Sequence, residues 1–268
     1  MCNNLLQYAH VYAWGREHGR TVISMRFSYK YPYFHICHTR LTSFPLYLYA
    51  KYMAALGLLP TASFKRADCD HAQLEKMMLT HRHIVVSGWN VRFYDLFLKY
   101  RSEICDLFRI LPQYTEPVRR QMQTAEKGAE ASTLLRLGVH IRRGDYAQWL
   151  DGRYYYDNET YIRHINRFAE LHPQDDIHVY LSTNDPSVRV ADYQAHCPRV
   201  CIHHLQGNAP GDLFMLSRCH YLIGPPSTFS LVAAMYEDIP LYRMDTANAE
   251  AMTPDSFKRF DYWFRRII

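Results

Sequence analysis

Six consecutive residues combine side chains that suit the binding of an anion. They are His140-Ile141-Arg142-Arg143-Gly144-Asp145, directly after the apolar run Leu137-Gly138-Val139. Arginine presents a planar, permanently charged fork that matches phosphate oxygens in pairs. Gly144 permits a sharp turn, and Asp145 can orient a guanidinium or accept a proton. The residues after the strand, 142–146, which we call the arginine loop, indicate an anion site, although a surface turn with a local Arg–Asp ion pair explains them too.

Two more segments place polar residues where a helix is expected to begin. Asp212 lies in the first turn after a loop rich in turn residues, and Ser227-Thr228-Phe229-Ser230 follows the strand-like run Leu222-Ile223-Gly224. We call residues 225–228 the serine loop. Free N–H groups and hydroxyls at a helix N-terminus bind anions, but capping alone explains each segment. Together with the arginine loop they favour a pocket for a nucleotide diphosphate.

The elements around these loops alternate between strand and helix. Apolar runs predict strands at 135–141, 177–181, 200–204, 221–224 and 240–243, and helical spacing predicts helices at 158–171, 188–195, 212–217 and 227–236. This alternation is typical of a parallel, doubly wound α/β sheet. Ligands of such sheets bind at the carboxyl ends of the strands, where the informative loops lie.

The first half of the chain is less regular. We expect a helix capped by Asn3 or Asn4 and ended by Gly19, then a strand at 21–25, a helix at 45–56, a strand at 84–88 and a helix at 94–108. The polar stretch near 112–132 is interpreted as a connection. The predicted domains are an α/β half at 1–130 and a Rossmann-like half at 131–268.

Composition limits the classes of partner. The formal charge is +5 in 268 residues, and acidic residues are interleaved with basic ones. A nucleic-acid-binding protein would show a basic stripe or a denser cluster, so we expect no nucleic-acid partner. The charge suits one or two phosphates at a single site.

The seven cysteines are irregularly spaced and form no C-x-x-C framework. Cys197 and Cys201 lie near His203 and His204, which invites a metal hypothesis, but free thiols are favoured because no second ligand pair follows. A reducing cytosol is therefore expected. No apolar run approaches the roughly 18 residues that a membrane span needs.

Several motifs together resemble those of the α-1,2-fucosyltransferases, glycosyltransferase family 11. The arginine segment is similar to the family's H-x-R-R-G-D motif, and the helix opening at Ser227 is similar to its N-S-T-F-S block. Similar segments elsewhere are Asn3-Asn4-Leu5-Leu6-Gln7-Tyr8-Ala9, Ser182-Thr183-Asn184-Asp185 and the run from Asp212 to Cys219. The likeness covers nearly the whole chain in order.

The resemblance implies a GT-B-like architecture of two Rossmann-type halves with mainly parallel sheets. GDP-fucose would be held by the second half and the acceptor, an oligosaccharide or glycolipid, by the first. It also implies inverting transfer of fucose, most simply to the 2-OH of a galactoside, with no cofactor and no required metal.

The resemblance also assigns roles to single residues. Arg142 is expected to stabilise the charge that builds on the departing diphosphate, with Arg143 and His140 assisting nucleotide binding or holding the loop. Asp145 and Asp212 are candidates for the base. The residues expected to bind the donor are His140, Arg142, Arg143, Asp212, Ser227, Thr228 and Phe229. Those expected in loops near the site are Asn3, Asn4, Gln7, Asn184 and Asp185.

Some positions depart from the family pattern. Cys2 stands where the family has glycine, and we expect the family's first strand, which precedes it, to be missing. Pro226 replaces the asparagine before the serine. These changes leave a non-catalytic or truncated relative that binds a nucleotide sugar or glycan as the alternative. We expect a cytoplasmic location, with peripheral contact at the inner face of the membrane; the sequence does not indicate an oligomeric state.

Overall fold

The computed structural model describes residues 1–24 and 26–266, and these pack as two compact units, Met1–Leu111 and Pro112–Ile268. The sequence placed the boundary at 130/131, within a connection. The stretch 112–125 is instead a helix that packs against another helix of the second unit. The structural division therefore falls about twenty residues earlier.

The first unit is mainly helical. Its helices are α1 Cys2–Glu17, α2 Phe27–Lys30, α3 Phe44–Ala55, α4 His71–Thr80, α5 Tyr94–Lys99 and α6 Arg101–Leu107, with a 3₁₀ helix at His35–His38. Two short parallel strands, β1 Thr61–Ser63 and β2 Val85–Ser87, pair in register. Trp14 of α1 and Phe64, which follows β1, belong to the core around these strands.

Three expectations for this unit are wrong. Met1 occupies the N-cap position of α1 without a side-chain cap, and the Asn4 side chain donates to the Tyr31 hydroxyl instead of capping the helix. The expected strand at 21–25 is reduced to one bridge at Ser24, whose hydroxyl accepts hydrogen bonds from the backbone as the chain turns into α2; residue 25 lies outside the described residues. The helix expected at 94–108 breaks at Tyr100 into α5 and α6.

The second unit is a doubly wound α/β layer structure, as the sequence predicts. Its strands are β3 Leu134–Ile141, β4 Asp176–Thr183, β5 Val200–His203, β6 Tyr221–Gly224 and β7 Leu241–Arg243, all parallel, in the order β5-β4-β3-β6-β7. Its helices are α7 Pro112–Ala125, α8 Asn158–Leu171, α9 Val190–Gln194, α10 Ala209–Leu216, α11 Thr228–Glu237 and α12 Phe260–Phe264. Short 3₁₀ helices lie at Gly144–Ala147, Trp149–Gly152, Ala249–Ala251 and Pro254–Ser256.

The central strand β3 is buried on both faces. Leu137, Val139 and Ile141 pack on one face in a core that includes Phe168 of α8. On the other face, Gly138 lies against leucine side chains of α10 and β6. Such two-sided burial explains why β3 is a nearly continuous apolar run.

The strand order creates one switch point. From β3 the chain runs to β4 and β5 on one side, and then returns to β6 and β7 on the other side. The carboxyl ends of β3 and β6 flank this reversal, where open α/β sheets bind their ligands. The arginine loop follows β3 and the serine loop follows β6.

Among the residues that the structure describes, no helix has both the length and the apolar character needed to cross a membrane.

Gly138→Ala tests how tightly the central strand is packed. A Cβ atom at this position would lie 2.6 Å from Leu222 Cδ2 and 2.8 Å from Leu216 Cδ2. Overpacking of this kind costs about 1–3 kcal/mol, so we expect a lower midpoint of urea unfolding. Gly207→Ala is the matched control, because its Cβ would meet no atom within 4 Å. Equal midpoints for the two variants would contradict the packing described for β3.

Candidate functional site

The arginine and serine loops are joined directly at the switch point. The hydroxyl of Tyr146, at the end of the arginine loop, donates to the carbonyl oxygen of Pro226 in the serine loop. Tyr146 is buried, and burial raises the pKa of its hydroxyl, so the group stays a donor. Tyr146 was not predicted as a site residue, and its only signal in the sequence is its position directly after the motif.

The two arginines of the loop differ in exposure and in partners. The guanidinium of Arg143 is buried, with 8% of the side chain exposed. Its Nη1 donates to Asp185 Oδ2 at 2.9 Å, its Nη2 to Asn158 Oδ1 at 2.5 Å, and its Nε to the carbonyl of Tyr156 at 3.1 Å. All three nitrogens are thus engaged within the protein. Arg143 holds the loop, and its expected part in donor binding is indirect in this geometry.

The loop after β4 reinforces this arrangement. Asn184 accepts from the backbone N–H of Arg143 at 2.9 Å and donates to its carbonyl at 3.2 Å. Asp185 accepts hydrogen bonds from Ser187 as well as from Arg143, and these contacts lower its pKa to about 2. Asn184 and Asp185 therefore fix the arginine loop.

The close approach of Asn184 to the arginine loop requires a glycine at position 144. Its φ is +61°, a conformation that side chains rarely adopt, and a Cβ would lie 2.9 Å from Asn184 Nδ2. The glycine of the motif lets the loop turn closely over Asn184.

Arg142 is the open cation of the loop. A third of its side chain is exposed (33%), and its Nη2 contacts Asp145 Oδ1 at 2.8 Å. The guanidinium lies 5.6 Å from the ring centroid of Tyr146. Asp145 is 64% exposed, so solvent screens the pair and an incoming anion can compete for Arg142.

His140 lies beneath the loops and carries no charge. Burial lowers its pKa to about 3, and the positive charge of the nearby Arg142 adds a smaller lowering effect. Its ring packs on Phe229 at a centroid distance of 5.1 Å. Within the described residues its Nδ1 has no hydrogen-bond partner. A neutral His140 supports the loops by packing and can offer one hydrogen bond, but it brings no positive charge to a diphosphate.

Ser227 caps helix α11 at the switch point. Its Oγ accepts from the backbone N–H of Phe229 at 3.2 Å, and Thr228 is the first residue of the helix. The capping interpretation of the sequence is thus confirmed. The helix still directs its N-terminal dipole to the carboxyl edge of the sheet, where an anion is stabilised.

Asp212 lies in the first turn of α10 and accepts from Ser182 Oγ at 2.9 Å. Burial raises its pKa to about 6, against the smaller lowering effects of Ser182 and His204. Ser182 is the register partner of His140 across β4 and β3. The structure therefore places Asp212 beside the strands that carry the loops, as a carboxyl group that titrates near neutral pH.

The remaining predicted residues lie in the first unit, on α1. Asn4 donates to the Tyr31 hydroxyl at 3.0 Å, and Gln7 donates to the carbonyl of Gly88. Asn3 is exposed. Asn4 and Gln7 brace loops within the first unit.

The two arginines should differ in their effect on stability. Arg143→Ala leaves Asp185 and Asn158 without their buried partner, which costs about 3–5 kcal/mol. Arg142→Ala removes only a partly exposed pair and should change the free energy of unfolding by less than about 1 kcal/mol. Urea unfolding of both variants measures the difference. Similar losses would show that the burial of Arg143 does not fix the loop.

Asp212→Asn tests the raised carboxyl pKa. The folded-state pKa of about 6 lies above the ordinary 3.8, so protonation of Asp212 stabilises the folded state. This contribution to the free energy of unfolding is lost as the pH rises from about 4 past 6. Asparagine mimics the protonated acid at every pH. The melting temperature of the variant minus that of the wild type should therefore become more positive between pH 4 and pH 7.5. A constant difference would show that the carboxyl has an ordinary pKa.

Comparison with known proteins gives structural neighbours only. No family model and no curated protein matches the sequence. The NodZ α-1,6-fucosyltransferase soaked with GDP-fucose is 16% identical, with a TM-score of 0.51 over 91% of each chain. A structure of NodZ from Bradyrhizobium gives the same identity and score over 90% of this chain and 91% of its own.

POFUT1 in complex with GDP-fucose is 9% identical, with a TM-score of 0.50 over 87% of this chain and 90% of that one. At these identities the likeness concerns the fold. The chain has the GT-B-like α/β fold of fucosyltransferases.

Proposed function

We propose that this chain transfers L-fucose from GDP-fucose to a sugar hydroxyl with inversion at the anomeric carbon. One observation carries the proposal: in a fold shared with fucosyltransferases, the H-x-R-R-G-D and S-T-F-S segments meet at the switch point of the second unit. The neighbours NodZ and POFUT1 have been solved with GDP-fucose. The same donor suits the fixed cation and helix N-terminus of this site.

Arg142 provides the main electrostatic contribution in the proposed mechanism. An acceptor hydroxyl attacks the fucose anomeric carbon, the bond to the diphosphate breaks, and GDP leaves with the bonding electrons. Negative charge then builds on the β-phosphate, and a preorganised cation stabilises it. Arg143 is anchored and its neighbour Arg142 is partly exposed, so Arg142 can meet the diphosphate. In this proposal the cation of Arg142 takes the place of a metal ion.

The N-terminus of α11 adds to this stabilisation. Ser227 and Thr228 stand at the start of the helix, and the Tyr146–Pro226 hydrogen bond keeps that start beside the arginine loop. Asp145 holds Arg142 before the donor binds. Asp145 or Asp212 would take the acceptor proton. The raised pKa of Asp212 suits such a base at neutral pH.

The acceptor is proposed from the motifs. They resemble those of α-1,2-fucosyltransferases, which implies transfer to the 2-OH of a galactoside in an oligosaccharide or glycolipid, and we place this reaction in the cytoplasm at the membrane face. The likeness to the α-1,6-fucosyltransferase NodZ favours an alternative product, in which fucose is linked to a primary 6-OH instead. The position of the new bond in the product distinguishes the two.

The proposal is tested with GDP-fucose and a panel of galactosides and other acceptors. We expect GDP release that depends on the acceptor, and a fucosylated galactoside whose linkage is read by NMR. Arg142→Ala should lower kcat by about 100-fold or more, the usual effect of removing one transition-state donor. Arg163→Ala is the matched control, since Arg163 forms an exposed pair with Glu159 on α8; it should retain wild-type activity.

Three outcomes would contradict this assignment. Full activity of folded Arg142→Ala would remove Arg142 from the mechanism. Calorimetric binding of GDP-fucose without transfer to any acceptor would favour the non-catalytic relative. Failure to bind GDP-fucose at all would overturn the donor itself.

A further inference from the structure

Three side chains with different metal-binding atoms meet at the edge of the second unit's sheet. Asp176 and His178 are two residues apart on β4 and share a face. Cys201, on the edge strand β5, is the register partner of His178. A carboxylate oxygen, a ring nitrogen and the thiol sulfur of the three lie within 4.8 Å of one another.

We propose that Asp176, His178 and Cys201 form a binding site for a divalent ion of the zinc class. Carboxylate, imidazole and thiolate are the three ligand types that zinc takes in proteins. With the usual bond lengths, ligand atoms of a tetrahedral site lie about 3.3–3.8 Å apart. His178 Nε2 is already 3.6 Å from Asp176 Oδ2. The Asp176 side chain is 43% exposed and Cys201 is exposed, so both can turn to complete the site.

His203 supplies the outer partner that metal-bound histidines usually have. Its Nε2 lies 3.0 Å from His178 Nδ1, and the two rings stack at 5.0 Å. When His178 Nε2 binds the ion, its Nδ1–H donates a hydrogen bond to His203 Nε2. This hydrogen bond fixes both the tautomer and the orientation of the ligating ring. The ring of His178 is buried, which holds it there.

An Asp–His ion pair alone explains two of the three residues. It does not explain Cys201, because cysteine is among the most buried residue types and this one is exposed on an edge strand beside the pair. The metal hypothesis that the sequence raised named Cys197, Cys201, His203 and His204, and free thiols were favoured over it. The structure changes the ligand set, since Cys197 is buried in the hydrophobic core while Asp176 and His178 come from the neighbouring strand.

The site lies well away from the arginine loop. His178 precedes the end of β4 by five residues, or roughly 16 Å along the strand. A bound ion would link the edge strand β5 to β4 and stabilise the sheet. It would take no part in the transfer step.

The test is cobalt binding to the full-length chain without a histidine tag, after removal of metal by a chelator. Co²⁺ reports thiolate ligation by a charge-transfer band and four-coordination by intense visible bands. We expect one Co²⁺ per chain with both features, and displacement by Zn²⁺. Zn²⁺ should also raise the melting temperature.

Variants identify the ligands. Cys201→Ser should abolish the charge-transfer band and weaken Co²⁺ binding at least about tenfold, and His178→Gln should weaken binding similarly. His203→Ala should weaken binding about 10–100-fold but keep the band. Cys69→Ser, at a partly buried cysteine of the first unit, is the control and should behave as wild type.

Two results would overturn the site. One is undiminished Co²⁺ affinity in folded Cys201→Ser, a variant that changes an exposed position and should fold. The other is no Co²⁺ binding by the wild-type chain at millimolar concentration.

Discussion

The proposed donor site depends on the buried guanidinium of Arg143. A buried charge is tolerated only when it is paired and hydrogen-bonded. Here the partners come from two other segments: the loop after β4 provides Asp185, and the segment entering α8 provides Asn158 and the carbonyl of Tyr156. The loop cannot shift without separating several of these contacts at once. The neighbouring Arg142 therefore has a rigid base, although its own side chain is open.

The same arrangement explains why two adjacent arginines do different work. The Arg143 side chain is 8% exposed and the Arg142 side chain is 33% exposed. One guanidinium enters the protein and the other faces solvent. Replacing either arginine by lysine would lose the planar fork, but only at Arg143 would the loss remove three directed hydrogen bonds.

The sequence predicted the second unit well because its signals are local. The strand at 221–224 and the helix at 158–171 have the predicted bounds, since apolar runs and helical spacing reflect burial between fixed layers. The three-residue strand β1 was missed because pairing with β2, over twenty residues away, defines it. Helix α7 was hidden by its polar composition and by Pro117 in its interior.

The motif predicted a site at the arginine and serine loops, but it did not show which arginine side chain is exposed. That depends on Asn184 and Asp185, about forty residues later in the chain, and only the register of β3 with β4 brings them to the loop. The charge state of His140 was equally out of reach. Its ring packs against Phe229 of α11, and burial together with the nearby Arg142 lowers its pKa to about 3, so the ring is neutral.

In the parallel sheet of the second unit, the two proposed sites lie at opposite ends of the strands. All strands of this sheet end on the same side, where Arg142 and the N-terminus of α11 form the proposed donor site. The early residues of β4 lie at the opposite end of the strand from this site. An edge strand has one side without a paired neighbour, and an ion bound by Asp176, His178 and Cys201 would link β5 to β4. Asn184 and Asp185, which anchor the arginine loop, directly follow β4, so such an ion would steady the strand that leads to them.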